Sequence, residues 1–537
     1  MKNRLLAAVL ILWLLPALAC NLPSAPPPTA ALPSVTPTTT RQPPARSPTP
    51  ARLEGWGKSL PGQLAPTPEP PTQDAWDFPG LRRLTSFADD GTVGALEAIG
   101  ADGTSLSYIS QPGDTAAALA RRFGVLPEAI HLPAGVSAQG YLPAASRIEI
   151  TAAPAWVLPG AALLPDSEIV YGPSAANFST ADYVKDAGAY LNTYSEKVNN
   201  QTLSGAEIVQ RVADEMGINP RILLAFLEYR SSWVLGWPKK TANPAFPIGF
   251  EAPEYQGLYK ELVLVARQLT LGYYGWRSGT LGALEFPSGD PARLHPSINA
   301  GSAAVSLLLA QLYPRGDFGA ALYGATGFVA FYTWLFGDPW ARAAAVEPQI
   351  PANFPQESPA LELPFEPGVQ WVFTGGPHAA WGVGSPAGAL DFAPAGENHG
   401  CYISQRWVTA AAPGLVTVSQ NGMLLLALDP SWNAARGWAL FYLHLSDFER
   451  APVGTRVNTG DRLGHASCQG GTATGTNLHI TRRYNGEWLG IGDEAPFVLS
   501  GWRAEAGDNA YLGRLVRADG TIIESRSDGS GTAVITR

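Results

Sequence analysis

The sequence predicts a multidomain protein built from a small β-α-α-β module, a mostly α middle domain and a mostly antiparallel β C-terminal domain. Three observations carry this. At 537 residues the chain has room for two to four domains with cores of their own. Its apolar residues keep helical spacing through residues 181–346 and then fall into short, β-prone runs after residue 364. Residues 21–75, by contrast, are mostly Pro, Thr, Ser and Ala, with too few large apolar side chains to bury a core. Charged residues make up 15%, below the usual quarter or so, and the net charge is -9 without a dense Lys/Arg cluster. That balance argues against nucleic acid as a partner.

Taken in order, residues 1–20 read as an export signal. Lys2 and Arg4 give a charged start, residues 5–15 an apolar run too short to span a bilayer, and Leu18-Ala19-Cys20 the end. Residues 21–75 read as an extended tether; at about 3.1 Å per residue it could reach on the order of 150 Å. Residues 76–155 hold the small module. Tyr108-Ile109-Ser110 is its first strand, Asp114 or Thr115 caps a helix carrying Leu119 and Phe123 on one face, a second helix starts near Pro127, and Arg147-Ile148-Glu149-Ile150 closes it. Residues 165–350 read as helical, with helices expected over 204–216, 221–229, 256–271, 300–312 and 327–335. Residues 360–503 form the β domain. Residues 504–537 read as a β-hairpin tail around Asp519-Gly520, a structural addition.

The chemistry concentrates in the β domain. Five of the seven His (His378, His399, His444, His465, His479) lie in the last third of the chain. Zinc hydrolase sites use His and carboxylate ligands and leave one position to water. Asn477 and His479 are two apart on an expected strand, so they share a face while Leu478 points away. His444 ends the apolar run from Trp438, which reads as a strand buried on both faces, and a buried His needs a partner. His399 and His465, taken singly, read as ordinary structural histidines. The chain has three Cys. With Cys20 at the signal end, Cys401 and Cys468 remain as one pair in an oxidising compartment, and a disulfide is the natural reading; zinc ligation is the alternative.

Four resemblances sharpen these readings. Leu18-Ala19-Cys20 resembles the lipobox of bacterial lipoproteins, which implies lipidation of Cys20 and a membrane anchor. Pro112-Gly113-Asp114-Thr115 at the first strand-to-helix turn makes the module similar to LysM, which implies binding to the glycan of peptidoglycan. The segment from Val212 to Ala225 resembles the lysozyme-like fold of lytic transglycosylases. Their catalytic Glu is replaced here by Arg230, and Glu228 lies roughly 200° around the helix, so this domain is expected to be non-catalytic. Finally, Phe373-Thr374-Gly375-Gly376-Pro377-His378, Leu390-Asp391-Phe392, Tyr442-Leu443-His444-Leu445 and Thr476-Asn477-Leu478-His479-Ile480 resemble the lysostaphin/LytM-type zinc endopeptidases of peptidoglycan. That resemblance implies His378, Asp391 and His479 as zinc ligands and His444 as a catalytic residue. Asn477 stands where the family has the first His of a His-x-His, and Ala387 where its first ligand usually falls.

These readings imply a membrane-anchored, zinc-dependent endopeptidase that cuts peptidoglycan cross-link peptides. A wall-binding scaffold or activator of other hydrolases, its own chemistry lost, is the alternative. A lipoprotein using zinc only for stability is a third.

Overall fold

The structure is a computed structural model. It describes residues 105–537 apart from 152–157, 159, 200, 239–241, 288–290, 352–353, 355–357, 398, 493 and 528–530, together with the short strands Arg82–Arg83 and Ala98–Ile99. The export signal, Cys20 and the 21–75 tether lie outside the described residues. No helix among the described residues is long and apolar enough to cross a membrane.

The small module pairs β1 (Ser105–Ile109) with β2 (Arg147–Thr151) in antiparallel register. Between them, α1 (Ala116–Phe123) is capped by the Thr115 side chain, which accepts from the Ala118 N–H, and is closed by Gly124 at φ 69°. Leu119 and Phe123 turn inward onto Tyr108, Ile148 and Ile150. The expected second helix is only one 3₁₀ turn, Pro127–Ala129. The chain after it goes straight into Ile130–His131, which pairs with β2, so strand pairing ends the helix early. The Pro-Gly-Asp-Thr turn is half-buried against the helical region, with Gly113 and Asp114 buried. Gln111 Nε2 donates to Ser297 O at 2.9 Å, and Arg277 donates to Pro112 O.

The middle region is helical, as the apolar spacing requires. α2 (Gly205–Met216) starts in a capping box made by Ser204 and Glu207 and stops at Gly217. α3 (Pro220–Ser231) follows with Pro at its first turn, then α4 (Leu258–Ser278), α5 (Ala300–Leu312) and α6 (Phe328–Phe336). Glu228 is buried, and Val234 N and Leu235 N donate to its Oε2 at 2.7 and 2.9 Å. It closes the turn after α3. Arg230 is engaged as well, donating to Ile248 O at 2.8 Å and to the Tyr313 hydroxyl at 2.6 Å.

The C-terminal region is an antiparallel β assembly. Beside a two-stranded ribbon of Trp407–Thr409 and Arg462–His465, its strands are β3 (Trp371–Ala379), β4 (Ala387–Pro394), β5 (Gly414–Gln420), β6 (Met423–Ala427), β7 (Trp438–Leu443), β8 (Arg456–Val457), β9 (Leu478–Tyr484) and β10 (Glu487–Trp488). These are followed by β11 (Val498–Leu499), β12 (Trp502–Ala506), β13 (Gly513–Val516), β14 (Ile522–Glu524) and β15 (Val534–Ile535). The main sheet runs β8-β5-β6-β7-β9-β4-β3-β15, with β10 beside β9; β11 to β14 form a second sheet.

Both faces of the main sheet are buried, on different cores. Leu390, Ile480, Tyr442 and Leu424 are in register on one face and join a core within the β region. Asp391, His479 and Leu443 are in register on the other, together with Phe441, Leu425 and Ala439. That second face packs against the helical region: Trp488 Nε1 donates to Met216 O at 3.0 Å and Arg483 to Asp214 O at 2.8 Å. The tail holds the expected hairpin and is built into the two sheets. Asp519-Gly520 does turn between β13 and β14, but β12 spans residue 503, and β15 returns to pair with β3.

Candidate metal centre

The centre is assembled by register. Gly375, Asp391 and His479 lie opposite one another across β3, β4 and β9, so the Asp391 and His479 side chains leave the same face of the sheet. His378 is an odd number of residues from Gly375 and in a regular strand would point the other way. It pairs with Ala389, two residues from Asp391, and the ladder shifts register between Gly375 and His378. One extra residue in β3 therefore re-aims His378 onto the face that carries Asp391. The loop between β3 and β4 turns at Gly382 and Gly384, both at positive φ. Ala387 is exposed at the start of β4, opposite Ala379. It offers no ligand; His378 reaches Asp391 from the neighbouring strand.

Backbone carbonyls fix both ring tautomers. His378 Nδ1 is 2.8 Å from Gly376 O, and His479 Nε2 is 3.0 Å from Ala380 O. A carbonyl only accepts, so each of those nitrogens carries the hydrogen and the other nitrogen is a bare lone pair. The two lone pairs face each other: His378 Nε2 and His479 Nδ1 are 3.1 Å apart. Asp391 Oδ1 lies 3.3 and 3.2 Å from them. It is buried and accepts no hydrogen bond. Three electron-rich atoms thus crowd together with no proton between them, the arrangement a cation resolves. Among the described residues this is the group of His, Cys, Asp or Glu whose donor atoms all fall within 4.8 Å.

His444 follows β7 directly. It sits at φ 65° and is 5% exposed. Its ring centroid is 6.3 Å from that of His479, nearly perpendicular to it. Nδ1 is 2.9 Å from Gln469 O, which makes Nδ1 the donor and leaves Nε2 free. Burial pushes this imidazole down to about 4, so it is neutral at neutral pH. Asn477 precedes β9 and bridges to Ser467. One of its amide N–H groups donates to Gly475 O at 2.9 Å, while its Oδ1 is buried without a donor.

Cys401 and Cys468 are disulfide-bonded, with Cα atoms 5.6 Å apart, so thiolate ligation is not available. His465 is a satisfied structural residue between Arg406 O and Glu449, with its ring against Trp407. His399 is exposed. Sequence reasoning missed Tyr511. Its ring stacks on His378 at 4.2 Å and 18°, and Gly376 N donates to its carbonyl at 2.9 Å. The signal for it was slight: an aromatic residue beginning a run assigned to a peripheral hairpin.

Comparison with known proteins bears on this geometry. Residues 162–353 match the family described as LasA, N-terminal domain. Over 357 residues the chain is 28% identical to Protease LasA of Pseudomonas aeruginosa strain UCBPP-PA14, covering 62% of this chain and 77% of that protein. The chain resembles protease LasA. It is also 27% identical over 158 residues to the Beta-lytic metalloendopeptidase of Lysobacter enzymogenes, covering 28% of this chain and 82% of that protein. Among solved structures, the M23 metalloprotease pseudoalterin is 24% identical with a TM-score of 0.27, covering 31% of this chain and 96% of that one. The helical region, read from sequence as lysozyme-like, thus finds its match in the N-terminal domain of LasA.

Proposed function

We propose that the C-terminal region is a zinc-dependent endopeptidase acting on the cross-link peptides of peptidoglycan. The observation that carries this is the convergence of two imidazole lone pairs and an orphaned carboxylate oxygen at 3.1 to 3.3 Å. Two nitrogen donors and one oxygen donor, leaving a fourth position open, suit catalytic zinc. The similarity to a protease and to a metalloendopeptidase supports peptide-bond hydrolysis, and the lysostaphin/LytM resemblance supplies the substrate class.

In this reading His378, Asp391 and His479 would hold the ion. Bound there, zinc would polarise the scissile carbonyl and acidify a water molecule. The rest is done by the chain. His444, neutral and with Nε2 unprotonated, accepts a proton and returns it to the leaving amine, help worth about 10²–10⁴ in rate. One Asn477 N–H is taken by Gly475 O; the other could donate to a developing oxyanion, but an amide cannot move a proton. Tyr511, stacked on His378, keeps that ring in its plane. Cys20 would carry a lipid anchor, the tether would carry the enzyme to the wall, and the LysM-like module would contact glycan through surfaces other than its packed turn. The helical domain has no glycosidase role, with Glu228 and Arg230 both committed to backbone and side-chain bonds.

Incubating the purified chain with peptidoglycan, with and without a chelator, tests this. New free amines that vanish with chelator support the peptidase. Bound zinc without new amines would move the reading to a wall-binding scaffold or activator, the reading favoured by Asn477 in place of a proton-transfer group.

A further inference from the structure

His444 is held in a backbone conformation that a β-carbon disfavours, φ 65°, so something must keep it there. Ser467 donates twice to its carbonyl, through N at 2.7 Å and through Oγ at 2.9 Å. Gln469 O takes the ring hydrogen at 2.9 Å. Gln469 is itself fixed: its N–H donates to Ser467 Oγ at 3.1 Å, and its side-chain Oε1 accepts from Asp447 N at 2.7 Å. The peptide after it packs so closely on the turn at Gly422 that a β-carbon there would meet Gln469 O at 2.4 Å.

Between Ser467 and Gln469 stands Cys468, bonded to Cys401. On the Cys401 side, Thr476 Oγ1 is bonded to both the N–H and the carbonyl of Tyr402, at 2.9 and 2.6 Å. The segment after Gln469 is Gly-rich, with Gly470, Gly471 and Gly475, and has little stiffness of its own. The disulfide is the covalent tie on this segment, beside the hydrogen bonds that hold Ser467 and Gln469.

We propose that the Cys401–Cys468 disulfide and Gln469 are positioning groups for His444, fixing the tautomer that presents Nε2 toward the His378–Asp391–His479 centre. This rests on the reading of His444 as the proton acceptor. It adds that the acceptor is competent only when the 401–468 bond has formed. Without the bond the ring can exchange tautomers, and a fraction presents an N–H where a lone pair is required.

The test uses the full chain with Cys401→Ser and Cys468→Ser together. Three quantities are read: zinc per chain, the kcat and KM for release of amines from peptidoglycan, and the His444 ring tautomer by ¹⁵N–¹H correlation. The expected result is unchanged zinc, KM within about 2-fold, kcat lower by about 10–100-fold, and loss of the single Nδ1–H pattern. Unchanged kcat with a single Nδ1–H tautomer overturns the proposal. The ring readout needs no turnover, so it decides the matter even if the wild type cleaves nothing. Should the double variant misfold, Gln469→Ala and Gln469→Glu replace it. Glu keeps an acceptor for Asp447 N and is expected to retain the single tautomer, whereas Ala is expected to lose it; identical spectra for the two would refute the clamp.

Discussion

Gly375→Ala isolates the register argument from the ligands themselves. Gly375 lies opposite Asp391, and a β-carbon there would sit 2.8 Å from Asp391 Oδ2 and 2.9 Å from its Cβ. Ordinary contact begins near 3.4 Å, so the carboxylate must retreat by roughly half an ångström. Metal–ligand distances tolerate about 0.2 Å. The displacement therefore exceeds what the centre can absorb, and zinc affinity should fall by at least about 10–100-fold, the cost of disturbing a group that orients a ligand. Two opposing effects bear on stability. Ala in place of Gly restricts the unfolded chain, a gain of about 0.4–1 kcal/mol. Overpacking costs about 1–3 kcal/mol, so the clash should win and the metal-free protein should melt lower. Competition against a zinc chelator measures the affinity, and thermal unfolding measures the rest. An Ala variant with wild-type zinc affinity and a higher Tm would show that Gly375 does not stand against Asp391.

Other changes separate roles. His479→Ala should lose metal and activity together, as metal analysis beside the peptidoglycan assay will show. His444→Ala should keep the metal and lower turnover by about 10²–10⁴; Asn477→His should raise turnover. The Glu347 carboxyl is raised to about 7 by burial and by Asp166 beside it, against the Ser167 N–H and Arg277. Its folded value lies above its unfolded one, so its contribution is fully present below about pH 4.5 and is lost as pH rises through about 7. Glu347→Gln should therefore melt above wild type at pH 8 and not at pH 5, and equal shifts at both would contradict this. Arg277 donates to Pro112 O of the small module, to Asp166 at 3.1 Å and to Glu487 of β10 at 2.8 Å. Arg277→Met leaves two buried carboxylates unpaired, a loss of about 3–5 kcal/mol, read as a lower denaturation midpoint.

Much of this architecture was legible because periodicity is local. The helix over Ala300–Leu312 was expected at those bounds, and the strand bearing His479 follows from its apolar flanks. What was not legible depends on contacts between distant segments. Alternation along β3 cannot reveal the extra residue that turns His378 toward Asp391, because a bulge is defined by the partner strand. Nothing near Tyr511 announces that it stacks on a ring 133 residues earlier in the chain, at His378. Asn477 shares parity with His479, yet its amide is drawn to Gly475 O, since the strand begins only at Leu478. In the small module a helical pattern after Pro127 gave way to the pairing of Ile130 with Ile150.

X-ray absorption of the full chain loaded with zinc tests the central claim most directly. The account predicts one zinc per chain, bound by two imidazoles and a carboxylate at about 2.0–2.2 Å and lost in His378→Ala. Absence of zinc binding, or sulfur in the coordination shell, would contradict it.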